Sequence, residues 1–269
     1  MNRFICVTCG TQFAETEVPP PCCPICSDER QFVGWNGQAW TTHAELRTRH
    51  ALRFTPETDE VTSIAIEPHF GIGQRALLVR NGAKNVLWDC LALVDDKAIA
   101  EIKALGGLDA IAISHPHYYT AMVEWSEAFG SVPIYLHEQD RQWVMHPHKA
   151  IMHWSGDRHE LAPGLTLIRC GGHFDGATVM HWAQGDDGEG ALFSGDVIAV
   201  NQDRATLSFM YSFPNYIPLN AAAVSGIAAV MAPYRFETIF GAFPGRNLRR
   251  GGRAAFEHSI ARYLKAVAS

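Results

Sequence analysis

Short apolar runs recur along the chain from about residue 60 onward, and helical periodicity lies between some of them. The length of the runs and their β-branched content are typical of strands. The predicted strands are 61–66, 76–80, 85–90, 110–113, 132–136, 165–169, 178–182 and 191–194. The predicted helices are 95–105, 121–129, 220–232 and 253–267. This layout predicts a mixed α/β domain.

Polar side chains follow three of the predicted strands. His115 and His117 stand after the fourth strand, His173 follows the sixth, and Asp196 follows the eighth. In α/β proteins the functional groups gather on loops beyond strand ends, where the sheet positions them. Three imidazoles and one carboxylate are the ligand set of a catalytic zinc or iron site with an open position for water. We therefore predict a metal site formed by these four residues.

Two Cys-x-x-Cys knuckles lie near the N-terminus, Cys6 with Cys9 and Cys23 with Cys26. Four thiolates in this spacing suit a tetrahedral structural zinc site. We predict a zinc ribbon which, with its linker, occupies residues 1–45. Cys22 stays outside the predicted site because Cys23 preserves the two-residue gap to Cys26. A redox role for one knuckle is the alternative, although it would not require the second pair.

The connection from the ribbon to the rest of the chain is predicted over residues 31–48. Within it the spacing predicts a turn over 34–37 and a short helix over 43–49. Farther along, the acidic stretch 185–190 contains three glycines and predicts a hairpin loop.

The chain is 269 residues long, with 22 basic and 28 acidic residues and a net charge of −6. No basic field exists to attract nucleic acid or an anionic membrane, so we expect neither as a partner. No apolar run approaches the roughly 20 residues that span a bilayer, and the first residues lack a signal peptide's apolar stretch. We expect a cytoplasmic protein that acts on a small-molecule substrate. The oligomeric state stays open.

With these motifs in order, the sequence resembles the metallo-β-lactamase superfamily over about residues 60–245. The resemblance implies an αββα sandwich over residues 46–269, an α/β (α+β) fold preceded by the small zinc ribbon. His115 and His117 match the first histidines of the family's His-x-His-x-Asp-His motif, and His173 matches the third histidine of the first metal site. Asp196 matches the acidic residue that usually touches both metals, and Asp89 matches an early structural aspartate.

The residues specific to the family's second metal site are missing from this chain. Tyr119 and Thr120 stand where the motif continues with aspartate and histidine, and Ala242 stands where a late histidine is expected. All three losses fall on the second site while the first site is kept. The resemblance therefore implies a mononuclear centre, with zinc favoured over iron.

A zinc ion at His115, His117 and His173 would lower the pKa of bound water to about 7. We expect hydrolysis of an ester, thioester, lactone or amide. Two roles stay open for Asp196, which are a fourth metal ligand and a base that accepts the water's proton. Tyr119 has two roles open as well, a catalytic donor to a developing oxyanion and an aromatic side chain that fills space.

The segment after Asp196 is aromatic and rich in proline, and in the superfamily this region often walls the pocket. Candidate substrate-binding residues are Tyr118, Arg204, Tyr211 and Asn215. The alternative for the later three is an ordered loop packed by its own aromatic side chains.

Two other functions are alternatives to the predicted hydrolase. One is an iron(II) oxygenase resembling the persulfide dioxygenase branch, in which two histidines and one aspartate hold iron. That ligand set would leave out His115 or His117. The other is a degenerate, non-enzymatic domain that binds a ligand or partner, with the ribbon as a docking surface, since fold alone does not fix function.

Overall fold

The computed structural model describes residues 1–267, which form two compact units. The first unit comprises Met1–Leu136 and Arg141–His153, and the second comprises His137–Asp140 and the chain from Trp154 onward. The division predicted at residues 45 and 46, between ribbon and larger domain, stays a prediction. Within residues 1–267, no helix is both long enough and apolar enough to cross a membrane.

The first unit contains two sheets within the described residues. Its strands are β1 Ile5–Cys6, β2 Trp40–Thr41, β3 Ala51–Pro56, β4 Val61–Glu67, β5 Ala76–Arg80, β6 Asn85–Trp88, β7 Ala110–Ala112, β8 Ile134–His137 and β9 Ile151–Trp154. Its helices are α1 Pro24–Ser27, α2 His43–Leu46, α3 Asp96–Ala104 and α4 Met122–Ala128, with a 3₁₀ turn at Pro116–Tyr118. A further 3₁₀ segment, Glu138–Trp143, is divided between the two units.

The larger sheet of the first unit runs in the order β3-β4-β5-β6-β7-β8-β9. Strands β3 to β6 pair antiparallel, whereas β6, β7 and β8 pair parallel. β7 is fully buried, as expected for a parallel strand covered on both faces. The chain leaves β7 at Ala112 and reaches His115 three residues later, so a rigid central strand positions the His-x-His segment.

The N-terminal ribbon is built around its cysteines. β1 pairs with β2, with Cys6 opposite Trp40. The first knuckle turns at Gly10, whose φ of +82° is a conformation that favours glycine, and the Gly10 N–H donates to Cys6 O at 2.8 Å. Phe13 and Trp40 pack edge to face with ring centroids 5.0 Å apart. A core this small needs further stabilisation, which a metal ion held by the four cysteines can supply.

Among its described residues, the second unit contains one larger sheet and two short two-stranded sheets. Its strands are β10 Arg158–Ala162, β11 Leu165–Arg169, β12 Thr178–Trp182, β13 Ala191–Gly195, β14 Ala199–Val200, β15 Leu207–Ser208, β16 Met210–Ser212, β17 Ile217–Pro218, β18 Thr238–Gly241 and β19 Asn247–Leu248. Its helices are α5 Ala221–Met231 and α6 Gly252–Val267.

The larger sheet of the second unit runs in the order β10-β11-β12-β13-β18-β19. β13 and β18 are parallel, and their Phe193 and Phe240 rings stack with centroids 5.0 Å apart. The acidic stretch 185–190 connects the antiparallel strands β12 and β13, so the predicted hairpin loop is confirmed. Asp196 follows the last residue of β13.

Each of the eight strands and four helices predicted from residue 60 onward is confirmed by an element whose ends lie within two residues of the prediction. The predicted strand 85–90 ends early, at Trp88, because Asp89 takes a positive φ of 60°. The turn at 34–37 is closed by Gly37 N–H donating to Gly34 O, and the predicted helix at 43–49 is the shorter α2. The structure also contains strands that the sequence analysis missed, among them β3, β9, β10 and β18.

Candidate metal centres

The four knuckle cysteines converge on one point inside the ribbon. The sulfur atoms of Cys6, Cys9, Cys23 and Cys26 all lie within 4.8 Å of one another, and the four residues are buried. The Sγ atoms of Cys6 and Cys26 are 3.6 Å apart and those of Cys9 and Cys23 are 3.7 Å apart. Sulfur atoms about 3.8 Å apart form the edges of a tetrahedron with Zn–S bonds of about 2.3 Å. The cysteine cluster therefore fits a tetrahedral metal ion.

Polar groups around the cysteine cluster favour thiolates. Gln38 Nε2 donates to Cys6 Sγ at 3.2 Å, and Thr11 Oγ1 lies 3.3 Å from Cys9 Sγ. Hydrogen bonds among the four thiols lower the pKa of Cys6 and Cys23 and raise the pKa of Cys9 and Cys26, so the outer contacts from Gln38 and Thr11 are the ones that favour thiolates. Such outer contacts orient metal ligands and stabilise their deprotonated form.

His115 is oriented by Ser114, which lies after β7, and by Asp89, which follows β6. Ser114 donates from both its N–H and its hydroxyl to Asp89 Oδ1, at 2.8 and 2.7 Å. Ser114 Oγ also lies 2.9 Å from His115 Nδ1. Because the hydroxyl proton points to Asp89, Nδ1 of His115 carries the proton in this contact, and the ring presents Nε2 as its ligand atom.

His173 is oriented in the same way by a backbone carbonyl. Its Nδ1 lies 3.0 Å from Met210 O, which can only accept, so Nδ1 is protonated and Nε2 is the ligand atom. Phe174 and Phe213 pack against the ring, with centroids 5.2 and 6.0 Å away. The imidazole, only 1% exposed, is thus fixed in tautomer and in rotation.

Three of the four predicted ligands form one group. His115, His117 and His173 each offer a ligand atom, and these atoms all lie within 4.8 Å of one another. His115 and His117 flank Pro116, the first residue of the 3₁₀ turn, and their rings meet edge to face at 5.1 Å. Neutral imidazoles held by hydrogen bonds at Nδ1 are the usual donors of a catalytic zinc site, so the residues present fit a metal.

Two of the three residues at second-site positions, Tyr119 and Thr120, are buried in the first unit, and the third, Ala242, is buried in the second. Tyr118 is fully buried and its ring centroid is 4.4 Å from that of His115. Tyr119 is 2% exposed, and Thr120 is buried at a φ of +36°. The catalytic role of Tyr119 and the substrate-binding role of Tyr118 stay predictions.

Asp196 and the three later candidates lie in the second unit. Asp196 is 5% exposed and directly follows Gly195, whose carbonyl accepts from Ala242 N–H at 3.0 Å. Arg204 and Asn215 are exposed, and Tyr211 on β16 is half-buried. Whether Asp196 is a ligand or a base stays open, and substrate binding by the other three stays a prediction.

The sequence analysis missed two residues that orient the candidate metal ligands, Ser114 and Met210. Ser114 stands next to His115, and a hydroxyl beside a candidate ligand was a usable signal. Met210 accepts through its backbone carbonyl, a group that every residue type has, so the sequence gives no signal for this contact. A third group, around Gln12 and Glu124, joins the ribbon to the segment after His117 and is described below.

The chain has the metallo-β-lactamase fold, as the sequence predicted. The metallo-β-lactamase DIM-1 shares 15% identity with this chain at a TM-score of 0.58, covering 81% of this chain and 98% of DIM-1. FIM-1 from Pseudomonas aeruginosa, in its mono-zinc form, shares 19% identity at a TM-score of 0.56, covering 81% of this chain and 97% of FIM-1. At these identities the likeness shows the fold alone.

The chain belongs to the same family as YmaE of Bacillus subtilis (strain 168), which is named as an uncharacterized protein. The two are 46% identical over 271 residues, covering 100% of this chain and 98% of YmaE. No protein-family model matches the chain.

Proposed function

We propose that the protein is a metal-dependent hydrolase whose one catalytic zinc ion is held by His115, His117 and His173. The observation that carries the proposal is the convergence of three buried imidazoles on one position, with their ligand atoms within 4.8 Å of one another. Two of these rings are locked by hydrogen bonds at Nδ1. The mono-zinc form of FIM-1, a protein of the same fold, supports a single ion.

The histidine group favours zinc over iron. Catalytic zinc takes three protein ligands and keeps one position open, and three imidazoles are one of its common sets. The iron oxygenase alternative uses two histidines and one carboxylate, so it would leave His115 or His117 unused. Both residues belong to the group and both are buried.

Bound zinc would supply a water molecule whose pKa is about 7 and which attacks an electrophilic carbonyl. In our proposal the Asp196 carboxylate accepts the proton from that water and later returns it to the leaving group. Ser114 and Met210 hold His115 and His173 in the tautomer that keeps Nε2 available. Tyr119, being 2% exposed, fills the space of the absent second site.

We propose a small-molecule ester, thioester, lactone or amide as the substrate. Arg204 and Asn215 are exposed on the second unit and can contact polar groups of such a molecule. The cysteine cluster would hold a second, structural zinc ion, because four thiolates close the coordination shell and leave no position for a substrate.

Counting metal tests the two sites separately. We expect two zinc ions per chain in the wild type and one in a His115→Ala, His173→Ala double variant. A Cys23→Ser variant should lose the other ion, whereas Cys22→Ser, a change at the adjacent exposed cysteine, should keep both. A histidine double variant that still holds two ions would refute the proposed catalytic site.

Activity is tested with a panel of esters, thioesters, lactones and amides on the protein with both sites loaded. Hydrolysis that is lost in the histidine double variant is the expected result. Oxygen uptake with glutathione persulfide by iron-loaded protein would favour the oxygenase instead. Inertness of metal-loaded protein in both assays would favour the non-enzymatic alternative.

A further inference from the structure

The ribbon contacts the backbone of the His-x-His segment through Gln12. Gln12 lies two residues beyond Gly10 and is 1% exposed. Its backbone N–H donates to Thr120 O at 3.0 Å. Thr120 stands three residues after His117, so the ribbon holds the end of the segment that carries two of the three imidazoles.

The side chain of Gln12 extends the same connection to the next helix. Its Nε2 donates to Glu124 Oε1 at 2.7 Å, and its Oε1 lies 3.2 Å from His146 Nδ1. Glu124 belongs to α4, which begins at Met122, and it also pairs with His43. His43 in turn lies 2.7 Å from Ala92 O through its Nε2. Gln12 therefore connects the ribbon to the His-x-His segment through its backbone and to α4 through its side chain.

The knuckle lies against the segment without spare room. A Cβ on Gly10 would lie 3.2 Å from Ala92 Cβ and 3.4 Å from Thr120 Cγ2, and one on Gly71 would lie 3.4 Å from the carbonyl carbon of Cys9. Packing that leaves too little room for one more carbon atom transmits a displacement of the knuckle to Thr120, because packed interiors compress little.

Thr120 has a conformation that needs such support. Its φ of +36° is in the left-handed region, which β-branched residues rarely adopt. Strained residues of this kind persist only where the surrounding structure holds them. The hydrogen bond from Gln12 to Thr120 O is part of that support, and it sits beside the metal ligands.

The cysteine cluster determines where Gln12 lies. Cys6 N–H donates to Thr11 O at 2.9 Å, and Thr11 Oγ1 lies 3.3 Å from Cys9 Sγ. A metal ion at the four sulfurs fixes Cys6 and Cys9, and these fix Thr11, the residue before Gln12. Without the ion, this turn rests on backbone hydrogen bonds such as Gly10 N–H to Cys6 O and Phe13 N–H to Phe4 O, and the ordering that metal binding contributes is lost.

We propose that Gln12 is a positioning residue for the histidine metal site and that the metal content of the cysteine cluster controls metal affinity at the histidines through it. Emptying the cysteine cluster releases Thr120, loosens the His115–His117 segment and weakens its metal binding. Since binding free energies are reciprocal, metal at the histidines also strengthens retention of the cysteine ion. The inference rests on metal binding at the histidines, which belongs to the proposed function.

Cobalt(II) titration of the full-length protein, with zinc kept at the cysteines, tests the positioning role. The histidine site is filled with cobalt(II), whose visible spectrum reports ligand geometry, and the absence of a thiolate charge-transfer band shows that cobalt has not entered the ribbon. In Gln12→Ala we expect an affinity for cobalt lower by about 10-fold or more and an altered spectrum, with the zinc retained. Thr16→Ala, a change in an exposed ribbon residue, is the matched control and should behave as wild type.

A second measurement uses the unaltered sequence, so it does not depend on how the variant folds. A mercurial reagent titrates the four thiolates and releases the ribbon zinc, while the cobalt spectrum and the hydrogen exchange of residues 115–124 are followed. One equivalent of free zinc added to untreated protein measures how much cobalt the released zinc displaces by itself. We expect a loss of cobalt beyond that control and faster exchange in that segment. Wild-type affinity in a folded Gln12→Ala protein, or cobalt and exchange unchanged after the mercurial, would overturn the inference.

The two proposals fail in different ways. If wild-type protein takes up no cobalt that depends on His115 and His173, the proposed function fails. If that cobalt is bound but is indifferent to Gln12 and to the cysteine ion, only the coupling fails.

Discussion

Ser114 Oγ lies 2.9 Å from Nδ1 of His115, and the same hydroxyl donates to Asp89 at 2.7 Å. The carboxylate thereby fixes the direction of the serine proton, and the serine fixes which imidazole nitrogen faces the metal position. Ser114 is not itself a predicted metal ligand, yet it determines which nitrogen of the predicted ligand His115 carries the proton.

Removing the Ser114 hydroxyl should weaken the histidine site. In Ser114→Ala, Nδ1 of His115 loses its acceptor and the ring can rotate or change tautomer. We expect a loss of about 10- to 100-fold in metal affinity, the range seen for partners that orient metal-binding histidines. Competition titration with a chromophoric chelator measures it.

Ser114→Thr keeps a hydroxyl at the same position and serves as the control. It should retain most of the wild-type affinity. Equal affinities in all three proteins would show that the hydrogen bond to His115 does not orient the ligand.

Replacing Asp196 by asparagine separates the two roles left open for it. As a base, Asp196 is not needed for binding, so Asp196→Asn should keep the histidine-site metal and lose turnover by about 100-fold or more. As a ligand, it should lose metal in parallel with turnover. Metal analysis and steady-state kinetics on one preparation distinguish the outcomes.

Gly176, in the loop after His173, admits no side chain. A Cβ there would lie 2.7 Å from Asp140 Oδ2 and 2.9 Å from His137 Cβ, and the Gly176 N–H donates to Asp140 Oδ1 at 3.0 Å. Gly176→Ala should lower the free energy of unfolding by about 1–3 kcal/mol, the usual cost of overpacking. It should also weaken metal binding by displacing His173.

Gly226→Ala is the matched control for that substitution. Gly226 lies inside α5, and a Cβ there would meet no atom within 4 Å. The change should stabilise the protein by about 0.5–1 kcal/mol, because alanine is the better helix former. Denaturant unfolding followed by circular dichroism measures both variants, and a neutral Gly176→Ala would show that the loop after His173 can adapt.

The pH dependence of stability should include a contribution from His181. Burial lowers the pKa of His181, which donates from Nε2 to Arg235 O at 2.7 Å. The unfolded chain binds the proton more readily, so stability is present above the ordinary histidine pKa and is lost as pH falls from about 6.5 toward the lowered value.

Unfolding of wild type and His181→Gln at pH 7.5 and pH 5.5 measures this contribution. The wild type should lose more stability than the variant across that interval, by at most about 1.4 kcal/mol per pH unit for one proton. The difference between the proteins is the measured quantity, because protonation of the metal ligands affects both alike. Equal losses would mean that His181 titrates normally in the folded protein.

The sheets and the grouping of the three histidines were predictable because their signals are local. A run such as Ala76–Arg80 has strand length and strand composition, and His115, His173 and Asp196 stand two to four residues after the ends of such runs. The missed strands lack that signal. β10 is Arg158–Ala162, with only its last two residues buried, and β3 has mostly exposed positions and ends at Pro56. Their strand conformation comes from pairing with neighbours rather than from their own composition.

The contacts that hold the ligands were less predictable for a different reason. Met210 accepts from His173 through its carbonyl, which every residue type possesses. Gln12 and Glu124 are 112 positions apart, and nothing in either neighbourhood indicates that their side chains meet at 2.7 Å. Side-chain pairs of this kind follow only from the tertiary fold.

The path of the chain through its two units limits how the protein can be divided. Residues 137–140 belong to the second unit, and the chain then returns to the first for Arg141–His153 before leaving it again. That return supplies most of β9, an edge strand of the seven-stranded sheet. A single cut after Leu136 would leave β9 on the wrong fragment, and a single cut after His153 would leave residues 137–140 on the wrong one. Neither unit can be produced intact as one contiguous piece, so work on the separated halves would require a rearranged gene rather than a truncated one.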